Sequence, residues 1–242
     1  MKNLEEVALS QIALEHHESI PVLEKYSLDF CCRGSRTLLE ACNDKKIDPT
    51  AVANDILNAV EREKPSMPFT EMTAGQLVSH ILLHHHFYVK QTIPVITNML
   101  DKIISKHGSK YPEMYKVQEL FDAVRADLEP HMQKEEQVLF PRIREVADLS
   151  AQQKKSELPP SYIIGPISVM ETEHDIAGQL LFDIRDLTNN YTAPEDACTT
   201  HRVCLETLKA FETDLHQHVH LENNILFPMA IAMVSGELAE QE

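Results

Sequence analysis

The chain has 242 residues, enough for one large domain or for a helical bundle with a small additional domain. Its 38 acidic residues outnumber 22 basic ones, and the formal net charge of -16 would repel phosphate backbones, which excludes nucleic acid as a partner. Glycine is scarce, with 6 residues, and tryptophan is absent, a composition that favours an all-α protein.

Compartment and membrane association are predicted from the first residues, the apolar runs and the cysteines. The N-terminal residues lack the basic start and apolar core of a secretory signal peptide, and the longest apolar run, 225–234, is too short to span a bilayer. Five cysteines, at positions 31, 32, 42, 198 and 204, show no disulfide-framework spacing. We therefore expect a cytoplasmic protein that does not associate with a membrane.

Residues 1–63 are predicted to form a small helical domain. Helical patterns cover 4–13, 17–26, 35–43 and 50–63. Two adjacent cysteines, Cys31 and Cys32, have Cα atoms about 3.8 Å apart, below the usual disulfide range, so they are not expected to bond to each other. They are either thiols available to a metal, an oxidant or another protein, or small buried residues in a tight turn closed by Gly34. The spacing leaves both interpretations open.

A linker is predicted at 64–69, where two prolines separate the first domain from a second one over 70–236. Thr73 and Gln76 have the spacing of a capping box, which predicts that a long helix begins there. That helix is expected to end near Lys106, with a bend at Pro94.

Three more long helices follow in the predicted second domain. They are expected over 112–146, from Pro166 to about 190, and from Thr199 to about 236. Pro130 lies inside the first of these three, where it should kink the helix or open a wider turn.

Two His-x-x-x-Glu pairs interrupt the apolar stripes of these helices. His131 precedes Glu135 by four residues, and His218 precedes Glu222 by the same step. On a helix this spacing places the imidazole and the carboxylate on one face. A carboxylate in a helix core costs several kcal/mol unless it is paired or bound to a metal. Both pairs therefore indicate metal ligands.

The other two long helices each carry a single histidine in an apolar stripe, His86 and His174. On the first helix, His80 and His84 are also four residues apart but fall off the stripe, so we predict His86 as the ligand and keep His80 and His84 as the alternatives. His107 is predicted to lie at the end of that helix.

The intervals between the four histidines predict the architecture. They are 45, 43 and 44 residues, and residues typical of turns lie near the midpoints at 108, 152 and 196. At about 1.5 Å rise per residue, each antiparallel helix returns its histidine to the same level. The four histidines and two glutamates should then converge at mid-height in an up-down-up-down four-helix bundle.

Four imidazoles and two carboxylates suit two metal ions bridged by Glu135 and Glu222, and these ligand types favour iron over zinc or manganese. We therefore predict a non-haem di-iron centre with open positions for oxygen, nitric oxide or a bridging solvent oxygen. One rival hypothesis is a reversible O2 or NO carrier or sensor. Another is a structural bundle with incidental histidines.

Several short motifs resemble those of a known family. They are Asp29-Phe30-Cys31-Cys32-Arg33-Gly34, His131-Met132-Gln133-Lys134-Glu135-Glu136 with Leu139-Phe140-Pro141, Gly165-Pro166-Ile167-Ser168-Val169-Met170-Glu171 followed by Glu173-His174-Asp175, Ala197-Cys198-Thr199-Thr200, and Leu221-Glu222-Asn223-Asn224 with Leu226-Phe227-Pro228. In these motifs the bundle resembles a hemerythrin-type domain. Over nearly its full length the chain resembles the RIC (repair of iron centres) family of the YtfE/ScdA type. The 84–86 histidine run and Arg33 depart from the pattern of some relatives.

The resemblance implies a protein that repairs iron-sulfur clusters damaged by nitric oxide or oxidative stress. It implies two Fe ions bridged by glutamates and an oxo or hydroxo group, held by the same six residues, and it links Cys31 and Cys32 to repair. Implied partners are iron-sulfur client proteins, NO or O2, and a second copy of the chain in a homodimer. The sequence leaves open whether repair means donating iron or removing nitric oxide enzymatically, as a nitric oxide reductase would.

Overall fold

The computed structural model describes residues 4–31, 33–62, 68–152 and 158–235. Within these ranges the chain is helical and forms no strand, and the β-type contact there is one isolated bridge between Ala8 and Thr37. The predicted all-α class is confirmed. None of the helices in these ranges combines the length and the apolar character that crossing a bilayer requires.

Four short α-helices and two 3-10 turns lie within residues 4–62, before the bundle. They are the turns Leu4–Glu6 and His17–Ser19 and the helices α1 (Leu9–Glu15), α2 (Ile20–Lys25), α3 (Leu38–Lys45) and α4 (Pro49–Arg62). Helix α3 begins three residues after the predicted start, because Thr37 and Glu40 form a capping box in which each side chain accepts from the other's backbone N–H. Lys46 then ends α3 in the left-handed conformation, with φ 56°.

The short helices enclose an apolar core of their own. It includes Leu9, Ile12, Leu23, Leu28, Phe30, Leu38, Val52 and Ile56. Gly34 lies against α1, where the backbone N–H of Ser10 donates to the carbonyl oxygen of Gly34 at 2.9 Å. A Cβ at Gly34 would lie 2.2 Å from the carbonyl oxygen of Phe30, so this close approach requires glycine.

Four long helices form the bundle, and three of them contain one π-helical turn. The first runs through α5 (Ala74–His80), the π turn Ile81–His86 and α6 (Phe87–His107); the second through α7 (Glu113–Lys134), the π turn Glu135–Leu139 and α8 (Phe140–Ala151); the third is α9 (Ser161–Leu187); the fourth runs through α10 (Thr199–Leu221), the π turn Glu222–Leu226 and α11 (Phe227–Ser235). Each helix contacts its neighbours in the chain, and the first also contacts the fourth. The predicted four-helix bundle is confirmed.

The kink predicted at Pro130 stays a prediction, and the alternative, a wider turn, does not begin at that residue. The α7 helix continues through this proline, and the wider turn begins five residues later at Glu135. The extra residue of a π turn changes which side chains face inward after it. Glu135 and Leu139 of this π turn, and Phe140 directly after it, are all buried. The third helix also begins earlier than predicted, at Ser161, with Pro166 inside it.

A buried polar layer divides the bundle core into two apolar clusters. One cluster includes Leu100, Val117, Phe121, Leu181, Leu208 and Phe211, and the other includes Leu77, Ile81, Phe140, Ile143, Ile167 and Phe227. Between them lie the histidines and glutamates that the sequence singled out. Apolar packing on both sides keeps bulk water away from these polar groups.

The N-terminal helices pack on the fourth bundle helix. Nδ1 of His216 lies 2.7 Å from Oε1 of Glu24, and the ring of His220 packs edge-on against Phe30 with centroids 5.3 Å apart. Burial lowers the pKa of His216, but Glu24 outweighs burial and raises that pKa to about 9. His216 and His220 occupy one face of α10, four residues apart, while His218 faces the bundle interior.

The predicted division of the chain into residues 1–63, a linker and residues 70–236 stays a prediction. Its boundary falls partly on residues 63–67, which lie outside the described residues.

Candidate metal centre

The six predicted ligands meet at mid-height in the bundle. They form two groups of four, His86, Glu135, His218 and Glu222 in one and His131, Glu135, His174 and Glu222 in the other. Within each group the candidate ligand atoms lie within 4.8 Å of one another. Each of the six side chains is at most 2% exposed. Both glutamates belong to both groups, which is the arrangement expected of bridging carboxylates.

The carboxylate oxygens divide between the two groups. Glu135 places Oε2 3.3 Å from Nε2 of His86 and Oε1 3.3 Å from Nε2 of His131. Glu222 places Oε1 3.1 Å from Nε2 of His218 and Oε2 3.1 Å from Nε2 of His174. Each glutamate therefore offers one oxygen to each group.

These close approaches do not satisfy the polar atoms involved. Among the described residues, both oxygens of Glu135, both oxygens of Glu222 and Nε2 of His86 and His218 are buried and lack a partner in hydrogen-bond geometry. Nε2 of His131 and Nε2 of His174 lie 3.1 Å apart and point at the same space. Buried polar atoms without partners are costly, so convergent lone pairs of this kind fit metal ions. The donor set of imidazole and carboxylate suits iron.

The three π turns lie at the level of this centre. His86 is the last residue of the first π turn, and Glu135 and Glu222 are the first residues of the other two. Single π turns inside α-helices are frequent at functional sites, because the extra residue re-aims the side chains around it. Here they direct two carboxylates and one imidazole into the bundle.

Three of the four histidines have a hydrogen-bond partner at Nδ1, the ring nitrogen on the side away from the centre. Nδ1 of His86 lies 2.8 Å from Oε1 of Glu136, Nδ1 of His131 lies 2.9 Å from Oε2 of Glu173, and Nδ1 of His174 lies 2.9 Å from Oδ1 of Asn223. Lys90 donates to Glu136, and Lys134 donates to Glu173. An outer acceptor fixes the ring and keeps the proton on Nδ1, which leaves Nε2 free to bind a metal. Sequence reasoning missed these partners, although each adjoins a predicted ligand in the chain.

The fourth histidine, His218, is held differently. Its Nδ1 is buried and has no hydrogen-bond partner among the described residues. Its ring instead lies parallel to that of His85, with centroids 5.6 Å apart and an interplanar angle of 8°. His85 is itself buried and places Nδ1 3.0 Å from Oδ1 of Asp214. The half of the centre formed by His86 and His218 therefore has one ligand without an outer acceptor.

When no metal is bound, protons on neighbouring histidines offset the negative charges of the two buried carboxylates. Burial would raise the pKa of Glu222, but His218 and His174 outweigh it and hold that pKa well below its usual value. Burial would lower the pKa of His131, but the nearby carboxylate of Glu135 outweighs burial and raises that pKa to about 9. Burial would also lower the pKa of His86, but Glu135 outweighs burial and raises that pKa. Metal binding must displace these protons.

Metal affinity is therefore expected to rise with pH up to about 9. His131 is protonated below its raised pKa, and a proton on Nε2 competes with the metal, so lowering the pH weakens binding by up to about tenfold per pH unit for each proton displaced. Competition with a chelator of known affinity, from about pH 6 to about pH 9, measures this slope. In Glu173→Gln, His131 loses the hydrogen bond to the Glu173 carboxylate, which helps to raise its pKa. The pH range over which the metal affinity rises should therefore shift to lower pH. An affinity that does not change with pH would contradict this electrostatic account.

Cys31 lies at the contact between the N-terminal helices and the bundle. It is 7% exposed and adjoins the apolar bundle cluster that includes Phe211. Its backbone N–H and its Sγ donate to Oδ1 of Asp29 at 3.1 and 3.3 Å. Among the described cysteines none forms a disulfide. Cys32 lies outside the described residues.

The alternative ligands on the first bundle helix lie outside both groups. His84 is exposed and His80 is half-buried, while His86 is buried among the other five side chains. His107 is the last residue of α6, as predicted.

Fold and site define a four-helix-bundle protein with a buried cluster of histidines and glutamates that could hold metal ions. The Hemerythrin HHE cation binding domain family matches residues 77–230, and the ScdA_N family, described as a Domain of Unknown function (DUF542), matches residues 5–60. Proteins named Iron-sulfur cluster repair protein YtfE are 34% identical in Yersinia pseudotuberculosis serotype IB (strain PB1/+) and 32% identical in Dickeya chrysanthemi (strain Ech1591). Each alignment covers 93% of this chain and 96% of the relative. The chain belongs to the RIC family of YtfE/ScdA-type proteins with a hemerythrin HHE domain.

Proposed function

We propose that this protein repairs iron-sulfur clusters damaged by nitric oxide or oxidative stress, and that it uses a di-iron centre to do so. The observation that carries the proposal is the pair of four-residue groups that share both carboxylates. The names of the relatives, which match over 93% of the chain, support repair over reversible carriage of a gas.

The proposed ligands are His86 and His218 for one iron and His131 and His174 for the other, with Glu135 and Glu222 bridging. When bound, the two irons would supply a redox-active Lewis-acid pair with open positions for an oxo or hydroxo bridge and for NO or O2. The chain's own residues orient the ligands, neutralise the iron charge with two carboxylates and exclude bulk water.

We propose iron donation as the route of repair, because one half of the centre is less firmly held. Glu136, Glu173 and Asn223 fix three of the four imidazoles, whereas His218 lacks such an acceptor among the described residues. Losing an outer partner typically weakens metal binding about 10-fold to 100-fold. The iron held by His86 and His218 is therefore the one proposed to leave for a client protein.

The remaining parts of the proposal concern the setting of the reaction. We propose that the protein acts in the cytoplasm on iron-sulfur client proteins, as a homodimer. Cys31 and Cys32 are proposed to engage iron, nitric oxide or the client. The position of Cys31 on the bundle supports a role close to the centre, since its loop packs through Phe30 on the helix that carries His218.

The test uses an iron-sulfur enzyme whose cluster has been damaged with nitric oxide. Iron-loaded protein should restore the enzyme's activity and its cluster absorbance without turning over NO to N2O, and metal-free protein should not. Repair accompanied by stoichiometric N2O release would replace donation with reductive removal of NO. A protein that binds NO or O2 reversibly but restores no activity would favour the carrier or sensor. A Cys31→Ala/Cys32→Ala variant with intact repair would contradict the proposed role of the two cysteines.

A further inference from the structure

A second group of histidines surrounds a surface cavity of about 400 Å3 beside the centre. The cavity lies between the N-terminal helices and the first and fourth bundle helices. Its ionisable lining residues are Glu18, His80, His84, His85, Asp214 and His220. None of these residues belongs to either group at the centre.

Three of these imidazoles lie in or directly before the π turn Ile81–His86. His80 and His84 are four residues apart with ring centroids at 4.4 Å, and His80 and His85 are five apart with centroids at 5.7 Å. A π turn repeats at i and i+5, and α-helical neighbours repeat at i and i+4, so both spacings bring side chains to one side. Two imidazoles in adjacent turns can bind one metal ion from the same helix face.

The cavity chemistry favours a cation. Oδ1 of Asp214 lies 3.0 Å from Nδ1 of His85, and its Oδ2 is buried without a hydrogen-bond partner among the described residues. The formal net charge of -16 further concentrates cations at the surface. Burial lowers the pKa of His80 to about 4, with His84 and His85 contributing, so this imidazole is neutral and able to coordinate at neutral pH.

The histidines form a continuous row from the surface to the centre. His84 is exposed, His80 is half-buried, and His85 is buried. The next ring in the row is His218, stacked on His85 at 5.6 Å. His218 is also the ligand whose Nδ1 lacks an outer acceptor. The row therefore reaches the less firmly held half of the centre.

We propose that His80 and His84 bind a divalent transition-metal ion at the mouth of this cavity, and that iron moves between this site and the His86–His218 half of the centre past His85. The second part rests on the iron donation proposed above, whereas the first does not. The transfer is a ligand exchange: bonds from the ion to its ligands at the centre break as bonds to His80 and His84 form. The ion keeps its charge, so no oxidant or reductant is required.

Zn2+ titration of iron-loaded protein tests the surface site, with iron content measured before and after. The intact protein should bind Zn2+ at this site without losing iron. His84→Ala removes an exposed side chain that packs in no core, and should weaken this binding by at least about 10-fold, since losing a ligand costs more than losing an outer partner. His80→Ala/His84→Ala should abolish it, and His107→Ala, at the other end of the same bundle helix, should leave it unchanged. Absence of the Zn2+ site in the intact protein, or its persistence in the double variant, would overturn the proposal.

Iron release to a ferrous chelator tests the transfer. The rate constant should be lower in His80→Ala/His84→Ala than in the intact protein and in His107→Ala. An unchanged rate would overturn transfer through this row. If the centre proved to hold no iron, the proposed function would fail, but the difference in Zn2+ binding between the intact protein and His80→Ala/His84→Ala would still decide the surface site.

Discussion

Glu222→Gln is expected to lose most of its iron, with an affinity at least about 100-fold below that of the intact protein, because it removes a ligand shared by both ions. Glutamine has nearly the shape of glutamate, but it carries no charge and offers one acceptor oxygen where the carboxylate offers two. In the intact chain those two oxygens lie 3.1 Å from Nε2 of His218 and of His174. The substitution should therefore affect both irons together. Iron per chain after purification measures the loss.

Glu206→Gln provides the matched control for this variant. Glu206 is exposed on the same helix, α10, and should keep the iron content of the intact protein. Far-UV circular dichroism should show that both variants remain helical. Full iron content in Glu222→Gln would contradict a bridging role for this carboxylate.

Removing the metal from the intact protein is expected to lower its Tm by about 8–16 °C. A ligand present at about 1,000 times its Kd stabilises the folded state by about 4 kcal/mol, and 1 kcal/mol corresponds to about 2–4 °C in a protein of this size. The structural reason is that metal-free folding must bury two carboxylates whose oxygens lack hydrogen-bond partners among the described residues. Thermal unfolding with and without a strong chelator measures the shift.

The same chelator should hardly change the Tm of Glu222→Gln, because that variant has little metal to lose. This comparison separates metal removal from any direct effect of the chelator on the fold. An equal Tm for the metal-loaded and metal-free intact protein would show that the centre does not contribute to stability, which contradicts the proposed burial of paired ions.

The position of the centre was predictable because it depends on helix periodicity alone. The His-x-x-x-Glu spacing of His131 and Glu135 fixes a common face, and intervals of 45, 43 and 44 residues fix a common height. His86 was preferred over His80 and His84 by the same periodicity, and the structure places it among the other five. That these residues bind metal stays a prediction.

The surroundings of the centre were harder to predict, because they depend on side chains from different helices and on turns that break the regular repeat. His85, which the apolar stripe did not select, is buried beside His86 in the π turn Ile81–His86. Glu136 and Glu173 reach their histidines from neighbouring helices, across 50 and 42 residues of sequence. No local pattern specifies such pairings.

The contacts of the N-terminal region were also difficult to predict, because they join residues far apart in the sequence. The adjacent cysteines and Gly34 left two interpretations open, available thiols or a buried tight turn, and Cys32 lies outside the described residues. The burial of Cys31 against the bundle depends on a contact 192 residues apart, between Glu24 and His216, and on the ring packing of Phe30 with His220. Spacing alone left the role of this cysteine open, and its part in repair remains a proposal.

The central claim is that two ions share the carboxylates of Glu135 and Glu222 between four imidazoles. Metal analysis of the intact protein, produced in iron-replete medium, tests it most directly. We predict about two iron ions per chain. A chain that contains no iron under these conditions, or a single ion that cannot be raised by further loading, would contradict the claim.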